Sequence, residues 1–192
     1  MSNPDQEPRA SALVEALLRL DGLGRLPRTG WLQAGIPSPE SIAAHSLGVA
    51  YVALALAPRE DPPIDAQEAV ALSVVHDAPE ALLTDLPHTA TEHLGTDVKR
   101  AAEARAAAEL LAPLGEPALA LHARYAARSE RTARFVAVCD KLHLGLQLVH
   151  HARTGRRGLE EFEAGLARLD CGEFDACAAF RDELLSALER AR

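Results

Sequence analysis

The chain has 192 residues, a formal charge of −8 and only 4% aromatic residues. That length is most simply one domain, residues 1–192, large enough to bury a core, and its excess of alanine and leucine over β-branched residues favours helices. No block of lysine or arginine is present to displace counterions from a nucleic-acid polymer, and no apolar run approaches the ~18 residues of a membrane span, so neither partner is expected.

Residues 1–8, Met-Ser-Asn-Pro-Asp-Gln-Glu-Pro, are polar and acidic, unlike a secretory signal, and read as a disordered leader. Ser11 to Leu20 predicts a short amphipathic helix through Leu13, Leu17, Leu18 and Leu20. Leu26-Pro27-Arg28-Thr29-Gly30-Trp31 reads as a loop, where Arg28 and the lone tryptophan either clamp a flat anionic ligand or merely cap the core. The next helix is expected from an N-cap at Ser38 and Pro39 at its first position to about Ala57. Its inner stripe of Ile42, His45, Val49, Val52 and Leu56 turns His45 inward.

Ala66 to Ala78 predicts an apolar helix that must bend at Pro79, with Asp77 or Ala78 capping a short helix that carries Glu80. The bend lets His76 and Asp77 face one point, although neighbours on an unbroken helix lie about 100° apart. Pro87-His88 and Glu92-His93 read as a polar loop. Thr96–Leu111 reads as a surface helix laced with opposite charges, and Pro117–Arg128 as another helix. From Glu130 to about His150 a long helix shows the inner stripe Ala133, Val136, Ala137, Asp140, Leu144 and Leu148. An unpaired aspartate there would destabilise the fold, so Asp140 requires a cation, and Lys141 belongs to a different face. Two further helices, about Leu159–Leu169 and Glu173–Arg190, complete an all-helical chain without strands. The cysteines Cys139, Cys171 and Cys177 are odd in number and lack paired spacing, as reduced thiols of a cytoplasmic protein would.

His45, the His76-Asp77 pair and Asp140 thus stand on three separate apolar segments. Two imidazoles and two carboxylates suit one divalent ion and leave positions open for water or substrate. Such an ion polarises a phosphoryl oxygen and acidifies water, and Glu80 could take or give a proton.

In the order His45, His76-Asp77, Asp140, the chain resembles the HD superfamily of metal-dependent phosphohydrolases, which have an all-α helical bundle. Arg28-Thr29-Gly30-Trp31, Pro39-Glu40-Ser41-Ile42-Ala43-Ala44-His45-Ser46, His76-Asp77-Ala78-Pro79-Glu80 with Asp85, and Phe135-Val136 before Asp140-Lys141 are similar to its 5′-deoxynucleotidase branch, over roughly residues 20–150. The resemblance implies a homodimer that hydrolyses deoxyribonucleoside 5′-monophosphates to nucleoside and phosphate with one divalent ion (Mn, Co, Fe, Zn, Ni or Mg). His45, His76, Asp77 and Asp140 would bind the metal, and Glu80 would assist the attacking water or protonate the leaving oxygen. Asp85 would contact the sugar or orient water, while Arg28 and Trp31 would hold the phosphate and frame the pocket. Thr84 stands where the family often has glycine, and Arg124 and Ala126 flank Tyr125 where acidic residues are common, which leaves nucleoside 5′-monophosphates in general, or a specialised phosphate ester, open as substrate. Alternatives are a di-metal oxygenase with extra ligands among His88, His93 and His122, and a helical module whose metal is structural. His150 and His151 read as a solvated helix end.

Overall fold

Helices make up nearly all the regular structure in this computed structural model, as the all-α expectation requires. The structure describes residues 6–191, without the side chains of residues 6–9 and His88. The expected leader therefore lies largely outside the described residues, although helix α1 (Gln6–Asp21) already includes its last three positions. Then follow α2 (Thr29–Gln33), α3 (Ile42–Leu56), α4 (Ala66–Val75), α5 (Glu80–Leu83), α6 (His88–Leu94), α7 (Thr96–Leu111), α8 (Glu116–Ala127), α9 (Arg131–Arg153), α10 (Glu160–Ala167) and α11 (Asp175–Arg190). The chain divides into two units, residues 1–45 with 74–126 and residues 46–73 with 127–192.

In the first unit, Val75, Ala78, Ala107, Leu110 and Leu111 form a buried cluster, and Leu20, Ala81, Leu119 and Leu121 pack on it. α7 is thus a core helix in its second half rather than the expected surface helix. Its polar first half does carry a Lys99–Glu103 pair at 3.5 Å. Arg19 of α1 pairs with Glu109 of α7. Two elements depart from the expected loops. Arg28 to Trp31 leads into helix α2, and the stretch after Pro87 forms α6, because polar residues continue a helix as well as apolar ones once Pro87 has opened it.

α3 starts later than expected. Ser41, not Ser38, is its cap: the Ser41 hydroxyl accepts the Ala44 N–H at 3.2 Å. The residues just before it are held in an extended pairing, with Pro27 opposite Ser41 in an isolated antiparallel bridge. That bridge is the sole β-pairing among the described residues. All five residues of the expected inner stripe of α3 are buried. The stretch Ile42–Arg59 has a mean hydropathy of 1.3 and by length and composition alone could cross a membrane, which corrects the expectation that no apolar run comes near that length. Its buried stripe is that of a core helix.

In the second unit α9 packs against α10 and α11. Its buried surface is wider than the expected stripe, taking in Phe135, Cys139 and Leu142 as well as Ala133, Val136 and Leu148. Phe135 meets Phe174 edge-on at 5.4 Å. Gly145 of α9 permits the close approach, since a Cβ there would lie 2.9 Å from Leu166 and 3.0 Å from Leu184. Arg131 and Arg134 both reach Glu173, and Asp65 caps α4 by accepting the Gln67 and Glu68 amides at 2.9 and 3.1 Å. The three cysteines are free and buried. His151, expected at a solvated end, is buried; its neighbour His150 is exposed.

Candidate metal centre

α4 ends at Val75, three residues before the expected Ala78, so His76 and Asp77 lie in a turn rather than on the helix. The turn is closed by short backbone bonds, Ala78 N–H to the Val75 carbonyl at 3.2 Å and Glu80 N–H to the Asp77 carbonyl at 3.0 Å. Leaving the helix releases adjacent side chains from their 100° separation, which is what lets both point the same way. Pro79, without a side-chain cap, starts α5; neither Asp77 nor Ala78 is the cap that was expected.

The side chains converge on one oxygen. Asp77 Oδ2 lies 3.1 Å from His76 Nε2, 3.8 Å from His45 Nε2 and 3.5 Å from Arg28 Nη1. The two imidazole rings are 5.6 Å apart, and the Tyr125 ring abuts His76 edge-on at 5.3 Å. His45 has no exposed surface. Glu40, which the residue-by-residue reading did not single out, places Oε1 3.6 Å from the other nitrogen of His45, Nδ1. Buried histidine and carboxylate groups of this chain are close enough together to hold a metal ion, and two neutral nitrogens beside a carboxylate suit a divalent ion. Within the first unit, His45, His76 and Asp77 are the donors that lie together. No such group among the described residues includes His93 or His122, which the di-metal alternative named as extra ligands; its third candidate, the His88 side chain, lies outside what the structure describes. Burial, followed by the neighbouring His76, lowers the pKa of His122.

Arg28 also lies 3.6 Å from Asp85 Oδ1, so its guanidinium bridges two carboxylates. The other oxygen of Asp85 accepts the Thr29 N–H at 2.5 Å, satisfying an amide that opens α2. Trp31, 1% exposed, is inside the fold. Glu80 opens α5 beside these groups, and its Oε2 is buried with no hydrogen-bond partner among the described residues. Burial first, then the charges of Asp77 and Asp85, push its carboxyl up to about 9, against the opposing pull of Arg28 and Lys99. Thr84 ends this helix at φ 63° and ψ 170°, a region that suits glycine, and so holds the turn into Asp85 under strain.

Asp140 stands on α9 in the second unit and is 8% exposed. Lys141 stands on a different, exposed face of α9, as expected, yet its Nζ reaches Asp140 Oδ2 at 3.0 Å because the long flexible stem folds back over the helix, so Asp140 does have a neighbouring cation in the chain itself. One turn on, His143 is buried against α3 at Gly48, where a Cβ would lie 1.9 Å from its Nε2. His143 carried a signal in the helical spacing, three residues beyond Asp140 on α9, whereas Glu40, in the extended chain before α3, carried none.

A model of the HD domain family matches residues 20–169. The chain is 32% identical over 154 residues to the 5′-deoxynucleotidase hdd1 of Schizosaccharomyces pombe, covering 74% of this chain and 76% of that protein. It is 27% identical over 140 residues to the 5′-deoxynucleotidase HDDC2 of Homo sapiens, covering 72% and 67%. The crystal structure of the PH0347 protein from Pyrococcus horikoshii superposes with a TM-score of 0.73 at 33% identity, over 93% of this chain and 99% of that one. The convergence of His45, His76 and Asp77 is thus set in a matched segment that covers most of the chain, and the chain belongs to the HD domain family.

Proposed function

We propose that this chain is a metal-dependent phosphohydrolase that cleaves (deoxy)ribonucleoside 5′-monophosphates to nucleoside and phosphate. One observation carries the reading: two imidazoles and an arginine meet at Asp77 Oδ2, in a chain whose similar relatives are named 5′-deoxynucleotidases. His45, His76, Asp77 and Asp140 would hold one divalent ion, drawn from Mn, Co, Fe, Zn, Ni and Mg. When bound, such an ion supplies Lewis acidity toward a phosphoryl oxygen and toward water.

The protein's own groups do the rest. Arg28, held between Asp77 and Asp85, offers a planar fork of donors to the phosphate oxygens. Asp85 is oriented by the Thr29 amide and Arg28 and takes up the sugar or a water. Glu80 carries its proton at neutral pH and delivers it to the departing 5′-oxygen. Trp31 backs the Arg28 segment and frames the pocket.

The family match spans residues 20–169, consistent with one working domain. On α3, Leu47, Tyr51 and Leu54 form an exposed apolar stripe at helical spacing, which supports a homodimer. Three free thiols support a cytoplasmic location. The deciding experiment incubates manganese-loaded protein with every ribo- and deoxyribonucleoside 5′-monophosphate and measures released phosphate. Turnover of at least one is expected, and none from any of them would overturn the reading.

A further inference from the structure

Glu40 sits where two short extended segments pair. Arg28 donates its amide to the Glu40 carbonyl at 3.0 Å, and Ile42 donates to the Leu26 carbonyl at 2.9 Å. One small backbone clasp thus locates both Arg28 and the residue that precedes α3. The Glu40 side chain turns inward, only 8% exposed, and faces Nδ1 of His45 at 3.6 Å. Across the same ring, Nε2 faces Asp77 Oδ2 at 3.8 Å. His45 is therefore a fully buried imidazole with a carboxylate toward each nitrogen.

A neutral imidazole carries one proton, and the nitrogen that ligates a cation must be the other one. His76 and Asp77 lie on the Nε2 side, which leaves Nδ1 to hold the hydrogen and Glu40 to accept from it. We propose that Glu40 is a positioning residue of the metal centre, holding His45 as the Nδ1–H tautomer with Nε2 turned toward Asp77 and thereby raising the affinity for the divalent ion. At 3.6 Å the pair is within ion-pair range but is not a formed hydrogen bond; a cation at Nε2 makes Nδ1–H a stronger donor and strengthens the attraction. A purely structural Glu40 would act only as a negative charge near the start of α3, with the same effect whether or not metal is bound.

The inference rests on the metal reading above, so its test separates the two. Wild type, Glu40→Ala, Glu40→Gln and His45→Ala are titrated with Zn²⁺ against a chelating indicator, and ¹⁵N-histidine spectra are recorded on the zinc-loaded proteins. Glu40→Ala should bind zinc about 10–100-fold more weakly, and the rise in melting temperature on adding zinc should shrink in proportion. Glu40→Gln should lose less, because its amide oxygen can still accept from Nδ1–H. The wild-type spectrum should show His45 protonated at Nδ1. Wild-type affinity in both Glu40 variants while His45→Ala loses zinc, or a proton on Nε2, would overturn the role of Glu40 alone. Wild-type affinity in His45→Ala would overturn the metal reading and this inference together. Should Glu40→Ala fail to fold, Glu40→Gln decides: an unchanged affinity and spectrum overturn the proposal, and a several-fold loss supports it.

Discussion

Two sequestered glutamates, one in each unit, receive opposite treatment. Glu60, 3% exposed, accepts the Cys177 amide at 3.0 Å on one oxygen and the Ala176 amide at 3.3 Å on the other. These are open N–H groups in the first turn of α11, where the helix dipole also favours a negative charge. Glu80 is half-buried beside Asp77 and Asp85 instead, with one enclosed oxygen that no donor meets, and its carboxyl is pushed up to about 9. Both side chains give up water, but one environment offsets that loss with donors and the other adds like charge to it. A carboxylate surrounded by amides is a structural cap. One surrounded by carboxylates keeps its proton at neutral pH and can give it up in a reaction.

That contrast can be broken by substitution, and the largest effect belongs to Glu80. Glu80→Gln is expected to reduce turnover about 10²–10⁴-fold, the usual worth of a positioned proton donor, while circular dichroism and metal content stay at wild-type levels. Turnover within tenfold of wild type would show that Glu80 is not the donor. Glu60→Ala should do the reverse. It leaves two amides of α11 without their acceptor and costs about 3 kcal/mol in denaturant unfolding, with turnover per folded molecule unchanged.

A pH series sharpens the same comparison. The folded carboxyl of Glu80 sits at about 9, above the ordinary value of 4.5 that applies when the chain unfolds. Between those values the folded state holds a proton that the unfolded state has released. The contribution of Glu80 to stability is therefore fully present below pH 4.5 and is lost as pH rises through about 9. In chelator-treated protein, wild type should lose melting temperature relative to Glu80→Gln over that window; parallel curves would contradict the assignment. The smallest effect is expected at Thr84, which closes α5 with its amide on the Glu80 carbonyl at 2.8 Å. Thr84→Gly relieves the positive φ and should stabilise the metal-free protein by about 1 kcal/mol, read as a higher unfolding midpoint. A lower midpoint would show that the threonine side chain contributes more than its backbone strain costs.

Much of the helical plan was legible in the residue pattern, because burial on a helix repeats every three or four positions. Ile42, His45, Val49, Val52 and Leu56 were expected on one face and are all buried, and α7 runs from Thr96 to Leu111 as its spacing implies. Where that periodicity stops, the reading was less secure. α4 ends at Val75 instead of Ala78, α6 occupies an expected loop, and the cap of α3 is Ser41 rather than Ser38. Those boundaries depend on which backbone amides find other partners, such as the bridge that holds Ser41 against Pro27.

By itself the sequence determined which residues have the right chemistry: histidine and carboxylate groups on apolar segments, where leaving them unpaired would be too unfavourable. Tertiary structure decided their partners. Only folding brings residues as far apart as Arg28, His45, Asp77 and Asp85 within a few ångströms, commits Arg28 to two carboxylates, and gives His45 the unforeseen neighbour Glu40. The reason is physical: hydrophobic patterning specifies which face turns inward, whereas the distance between two polar atoms across a core depends on how whole helices and turns pack.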